Sequence, residues 1–115
     1  MQATFWELPA FARYREQYLD DDEYRALQNE LMRHPEAGDV IPSTGGLRKL
    51  RFGDSNRQKG KRGGLRVIYF WRTSNEQIWL FSIYSKADAT DLTDEQRKIF
   101  RERLQRELKA RSQEK

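Results

Sequence analysis

Two runs, Leu65–Arg72 (LRVIYFWR) and Gln77–Lys86 (QIWLFSIYSK), narrow the folds open to this chain more than any other feature. Both are rich in β-branched and aromatic residues, and only the four polar residues Thr73–Glu76 separate them. Two such runs joined by so short a polar turn predict an antiparallel hairpin. Leu47–Phe52 alternates in strand fashion, with Leu47, Lys49 and Arg51 on one face and Arg48, Leu50 and Phe52 on the other. Three successive strands of this kind predict an antiparallel meander. Hydrophobic residues make up 37% of the chain and charged residues 35%, so the core has to be economical. Three Trp, six Phe and five Tyr supply much of it, because each aromatic side chain buries a large area.

The flanks add helices. Ala3–Leu8 reads as a short strand with Thr4 and Trp6 on one face, Phe5 and Leu8 on the other. Pro9 suits a helix's first turn, where its missing N–H is not needed, and Phe11, Tyr14 and Tyr18 follow at helical spacing. Asp20–Glu23 supplies an N-cap and charges that match the dipole of a second helix, whose apolar stripe is Tyr24, Leu27 and Leu31. Pro35 and Gly38 end that helix, and Gly38–Gly46 is expected to be a turn-rich connector. Thr93 and Gln96 form a capping-box pair that opens a last helix carrying Phe100, Leu104 and Leu108. The expected order is β-α-α-β-β-β-α. That is an α+β domain spanning residues 1–115, with an antiparallel sheet and helices packed on one side.

The charge is sharply polarised. Residues 1–46 sum to −5, residues 47–66 to +7 and residues 67–115 to +2. The middle window holds Arg48, Lys49, Arg51, Arg57, Lys59, Lys61, Arg62 and Arg66 against the single acid Asp54. Such a concentration points to a polyanion, most commonly a phosphate backbone. Lys49 and Arg51 leave one strand on the same side, about 7 Å apart by strand rise. Arg66 opens the next strand across a glycine-rich loop, and antiparallel pairing is expected to return it near Arg51 or Lys49. Lys59, Lys61 and Arg62 lie in that loop, and Gly60, Gly63 and Gly64 allow the backbone close to a phosphate.

A cationic pocket of this kind can hold a scissile RNA phosphate and offset the charge that develops as a 2′-hydroxyl attacks it. It can also move protons without histidine where neighbouring cations lower a lysine from its ordinary pKa of about 10.4. Arginine is assigned clamping only. Tyr69 and Tyr84 are candidates to stack a splayed base. His34 is the single imidazole and falls where a helix ends, which suits a contact with free carbonyls. Zero cysteines exclude disulfides and thiolate metal sites, and the carboxylates show no ligand-like cluster beyond Asp20–Glu23. No metal or cofactor is expected. No run approaches the roughly 18 apolar residues of a membrane span, and the N-terminus lacks the pattern of a signal peptide. A cytoplasmic setting without a membrane partner is expected.

Several motifs taken together resemble the HigB branch of the RelE-like toxins, the toxin halves of bacterial type II toxin–antitoxin modules. They are Gly45–Arg51 (GGLRKLR), Gly60–Tyr69 (GKRGGLRVIY), Ile83–Lys86 (IYSK) and Asp91-Leu92. The resemblance extends to the Glu-Tyr-Arg and Glu-Leu-Met of the second helix and the Gln-Arg-Lys of the last. It implies a RelE-like fold and an mRNA interferase that cuts messages in the ribosomal decoding site, with the 2′-hydroxyl as internal nucleophile. It also implies a cognate antitoxin of the HigA or RelB kind. Lys49 and Arg51 fall where such enzymes place a pair of strand lysines, and Arg66 falls on the phosphate-clamping arginine. Lys86 lies beside another arginine position of RelE, which here is Ala87. The C-terminal catalytic tyrosine of RelE has no counterpart near Asp91-Leu92. The general base therefore falls to Lys49 or Lys61, with Lys86 third. Arg48, Lys59, Arg62, Tyr69 and Tyr84 complete the expected RNA contacts.

Two rival readings follow from the same residues. A ParE-like poison of DNA gyrase shares the fold and does not require the cationic cluster. A decayed or purely RNA-binding protein keeps the cations without the cut. For the antitoxin, an acidic and partly disordered segment folding over the sheet or the basic face fits the charge split. If about six window cations touch phosphates, log K for single-stranded RNA falls against log salt with a slope of roughly −4. Titration between low and physiological salt measures it, and a slope near −1 places the binding face elsewhere.

Overall fold

The structure, a computed structural model, describes residues 3–53, 64–88 and 92–112. In chain order the elements are β1 (Thr4–Glu7), α1 (Pro9–Tyr18), α2 (Asp21–Arg33), β2 (Asp39–Val40), β3 (Arg48–Phe52), β4 (Leu65–Arg72), β5 (Gln77–Ser85) and α3 (Asp94–Ser112). The strands form one sheet in the order β1-β5-β4-β3-β2. β1 runs parallel to β5 and every other pairing is antiparallel. The α+β class and the meander of β3, β4 and β5 follow the sequence pattern. One strand was not foreseen. The connector after α2 contributes Asp39 and Val40, which pair with Lys49 and Arg48.

β4 and β5 carry apolar side chains on both faces, so each face of the sheet has its own core. On one face, Leu50, Leu65, Val67, Tyr69, Ile78, Leu80 and Ile83 pack with Phe11 of α1 and Leu27 and Leu31 of α2. Residues that alternate with these along the strands must face the other way. There Ile68, Trp79 and Phe81 pack with Leu8, Ile41, Leu47 and, from α3, Leu104. The α1–α2 hairpin thus lies together on one side, and α3 supplies apolar residues to the second cluster. Each fully buried Leu or Ile stabilises the fold by roughly 1.5–3 kcal/mol. Phe81 meets Phe100 edge-on at 6.1 Å, and Arg111 sits 3.5 Å over the Trp6 ring, tying the end of α3 to the sheet.

The helix ends follow the capping chemistry. Asp20 accepts from the Glu23 amide at 2.7 Å while the Glu23 carboxylate accepts from the Asp20 amide at 2.9 Å. Thr93 and Gln96 make the same reciprocal pair. Pro9 occupies the first turn of α1. His34 is the C-cap of α2, its backbone N–H donating to the Glu30 carbonyl at 2.9 Å. Two local expectations need correction. Leu8 shares the cluster of Trp6 and not that of Phe5, because Leu8 is still extended and positions 6 and 8 of an extended segment fall on one side. Tyr14 is exposed, while Phe11 and Tyr18 face the core. Most of the glycine-rich Gly53–Gly64 connection falls outside the described residues. No helix of the described residues is long and apolar enough to cross a membrane.

Tyr24 and Tyr69 make stability depend on alkaline pH. Burial raises both phenols above the ordinary 10.0, and for Tyr24 the hydrogen bond to Glu7 adds to the effect. In the unfolded chain these phenols ionise near pH 10, whereas the folded protein keeps their protons. Above that pH the folded state binds more protons, so stability is full below about pH 10 and falls as pH rises further. The urea midpoint is expected to be lower at pH 11 than at pH 8, with a smaller drop in Tyr69→Phe. An equal drop in that variant assigns the effect to other groups.

Candidate functional site

The register of the meander assembles the cations. Arg51 of β3 stands directly opposite Arg66 of β4, and Arg66 stands opposite Tyr84 of β5. The next row on the same face is Lys49, Ile68 and Ser82. Ile68 belongs to the second cluster, which identifies this as the face that α3 also uses. Lys49, Arg51 and Arg66 therefore share one face over two adjacent rows, with neighbouring strands about 4.8 Å apart. Of the two strand cations that the sequence offered as neighbours of Arg66, Arg51 is the direct partner.

A bulge in β5 makes the arrangement possible. Ile68 pairs with Ser82 and Tyr69 with Leu80, so Phe81 is an extra residue. Strict alternation from Trp79 and Phe81 puts Tyr84 on the α1–α2 side. The extra residue turns it to the face of Arg66, where it packs against the second cluster, as Leu92 and Phe100 also do.

The three strand cations differ in exposure. Arg66 is 7% exposed and donates to the Leu65 carbonyl at 3.1 Å, so its guanidinium lies close against its own strand. Lys49 is half-buried and Arg51 exposed. Two arginines directly across a strand pair repel each other. An anion seated between them offsets that cost, which is the electrostatic case for a phosphate at this position.

Lys86 follows the end of β5, where its backbone N–H donates to the Gly64 carbonyl at 3.1 Å. It is exposed, and the contact brings it beside the start of β4, two residues from Arg66. The turn that carries it is pinned. The Ala87 and Asp88 amides donate to Ser85 at 3.1 and 2.9 Å, and the Tyr18 hydroxyl of α1 donates to the Asp88 carboxylate at 2.8 Å. Nothing local in the sequence marks the Tyr18–Asp88 bond, which spans 70 positions. Thr44 was also missed. Its buried hydroxyl donates to Ile41 O at 2.7 Å and accepts from the Leu47 amide at 3.2 Å, fixing the turn that leads into β3. Lys59, Lys61 and Arg62 lie outside the described residues.

Two expected RNA contacts engage the protein's own backbone. Tyr69 is fully buried on the α1–α2 face, opposite to Lys49 and Arg66, and has no open ring face on which to stack a base. Arg48 is its cross-strand partner on that same face, and its guanidinium donates to the Gly38 carbonyl at 2.8 Å and to the Glu36 carbonyl at 3.3 Å. Tyr84 stays half-buried next to Arg66. Among the described residues no group of three or more His, Cys, Asp or Glu is placed to hold a metal ion.

No protein-family profile matches the chain. Among solved structures it is similar to an arginine-to-alanine double mutant of the E. coli toxin RelE in the free state, with a TM-score of 0.51 and 16% sequence identity. The match covers 78% of this chain and 90% of that one. At that identity the likeness establishes a RelE-like fold.

If the Arg51–Arg66 pair is held against its own repulsion for an anion, Arg51→Gln uncouples stability from binding. Without ligand the variant is expected to be equal to wild type or more stable by a few tenths of a kcal/mol, since Arg51 is solvent-screened. Inorganic phosphate should then raise its melting temperature less than it raises that of wild type. Equal phosphate stabilisation in both proteins removes the pair as an anion site.

Proposed function

We propose that this chain is the toxin of a type II toxin–antitoxin module and acts as a ribosome-dependent endoribonuclease on messenger RNA. The observation that carries the reading is the juxtaposition of Arg51 and Arg66 across one strand pair with Lys49 on the same face. Its support is the RelE-like fold together with the basic window of residues 47–66.

In this reading the scissile phosphate sits against Arg66 and Arg51. The 2′-oxygen of the preceding nucleotide attacks phosphorus, a 2′,3′-cyclic phosphate forms, and the bond to the 5′-oxygen breaks. A base takes the 2′-hydroxyl proton and an acid returns one to the departing 5′-oxygen. Lys49 or Lys61 is proposed as base, with Lys86 third. The guanidinium groups oppose the charge that builds on the non-bridging oxygens. Tyr84, in the row of Arg66, is the remaining candidate to stack a base. Lys59 and Arg62 are proposed as further RNA contacts on their charge. The partner is an antitoxin of the HigA or RelB kind, an acidic segment of which folds across the sheet or the basic face.

Regulated expression in bacteria tests this, with wild type beside Arg66→Ala and the exposed variant Arg51→Ala, and with messages mapped by primer extension. The expected outcome is growth arrest with in-frame mRNA cuts, reduced about 10²-fold or more in Arg66→Ala and clearly weakened in Arg51→Ala. Arrest with intact messages and inhibited supercoiling moves the chain to the gyrase-poisoning class. Absence of arrest from a folded wild-type protein identifies a binder that does not cut.

A further inference from the structure

β3, which bears Lys49 and Arg51, is gripped unevenly. It pairs with β4 along its whole length, from Arg48↔Tyr69 to Phe52↔Leu65, but its other side meets only the two residues of β2. What stiffens that weak side is a knot on the reverse face of the sheet. The buried Tyr69 hydroxyl donates to the Pro35 carbonyl at 2.8 Å and accepts from the Gly38 amide at 2.9 Å. Arg48 grips the same turn through the Gly38 and Glu36 carbonyls. Gly38 itself is pressed onto the backbone of Lys49. A Cβ at that position falls 2.9 Å from the Lys49 carbonyl carbon, its oxygen and Tyr69 Cε1, a separation no side chain tolerates.

We propose that Tyr69 and Arg48 are positioning residues. Acting through the Pro35–Gly38 turn, they clamp β3 from behind and fix where the Lys49 side chain stands on the opposite face. The proposal rests on the reading of Lys49 given above, and it gives a use to two residues whose sequence position suggested RNA contact. The physical logic is direct. A strand passes displacement from one face to the other, because its side chains alternate on a single backbone. A shift of about 1 Å in a reacting group costs on the order of 10²-fold in rate. Neither residue touches the RNA in this scheme.

Two amide hydrogen bonds separate a clamp on β3 from a general contribution to stability. The Ile41 amide donates to the Leu47 carbonyl at 2.8 Å and reports on the link between the connector and β3. The Leu8 amide donates to the Leu80 carbonyl at 2.9 Å and reports on the other edge of the sheet. In Tyr69→Phe, native-state hydrogen exchange at Ile41 is expected to quicken about tenfold while Leu8 is unchanged, and Arg48→Leu should give the same pattern. Single-turnover cleavage of ribosome-bound message should fall about tenfold in Tyr69→Phe at an unchanged half-saturating concentration. In a Lys49→Ala background, Tyr69→Phe should add no further loss. Equal acceleration at Ile41 and Leu8, or an additive loss in the double variant, overturns the proposal. Full cleavage by Lys49→Ala refutes the role of Lys49 in the chemistry, whereas the exchange pattern decides independently whether the knot holds β3.

Discussion

The pairing of β4 with β5 is the constraint from which the rest follows. These two strands are the centre of the sheet, and their side chains are apolar on both faces. A hairpin of that kind is insoluble by itself and has to be covered twice. The α1–α2 hairpin covers one face with Phe11, Leu27 and Leu31, and the second cluster on the other face includes Leu104 of α3. β1 joins alongside β5 in parallel, and Pro9 then starts the helix that leaves the sheet. β3 joins alongside β4, and its register is fixed by the need to bury Leu50 and Phe52 on the helical side. A slip of one residue turns Leu50 outward and sends Lys49 and Arg51 into the core.

That register is also what creates the charged surface. Once Leu50 faces the core, Lys49 and Arg51 have to share the opposite face, and the antiparallel ladder sets Arg51 against Arg66. The repulsion between the two guanidinium groups is modest beside the apolar burial that enforces the register, since the core side chains contribute kilocalories each. The fold can therefore keep two arginines opposite each other on neighbouring strands. Beneath them, the buried Tyr69 hydroxyl and the Arg48 guanidinium satisfy the carbonyls and the amide of the Pro35–Gly38 turn, and groups of that kind are expensive to leave unpaired.

Much of this was legible in the sequence, for identifiable reasons. The central hairpin could be read because β-branched and aromatic runs around a four-residue polar turn have few other solutions. The two capping boxes could be read because their chemistry is local, acting over three residues. The split of β3 into a cationic and an apolar face followed from a period of two. β2 was not legible, because a pairing of two residues inside a glycine- and proline-rich connector leaves no periodic trace. The bulge at Phe81 was equally silent, since nothing in its flanking residues marks the extra position. Tyr69 is buried, which its sequence position does not reveal, because a tyrosine in a strand reads the same whether its ring lines the core or the surface.

The sequence by itself determined the α+β class, the order of the main elements, the helix starts and the concentration of positive charge between residues 47 and 66. These depend on periodicity, capping and composition, which act over a few neighbouring residues. Tertiary structure alone decided which cations meet. It set Arg51 and not Lys49 opposite Arg66, brought Tyr84 to their face through the bulge, and turned Tyr69 and Arg48 inward onto the Pro35–Gly38 turn. Those outcomes depend on strand register and on contacts spanning tens of residues, and a register is chosen by which side chains the packed sheet has to bury.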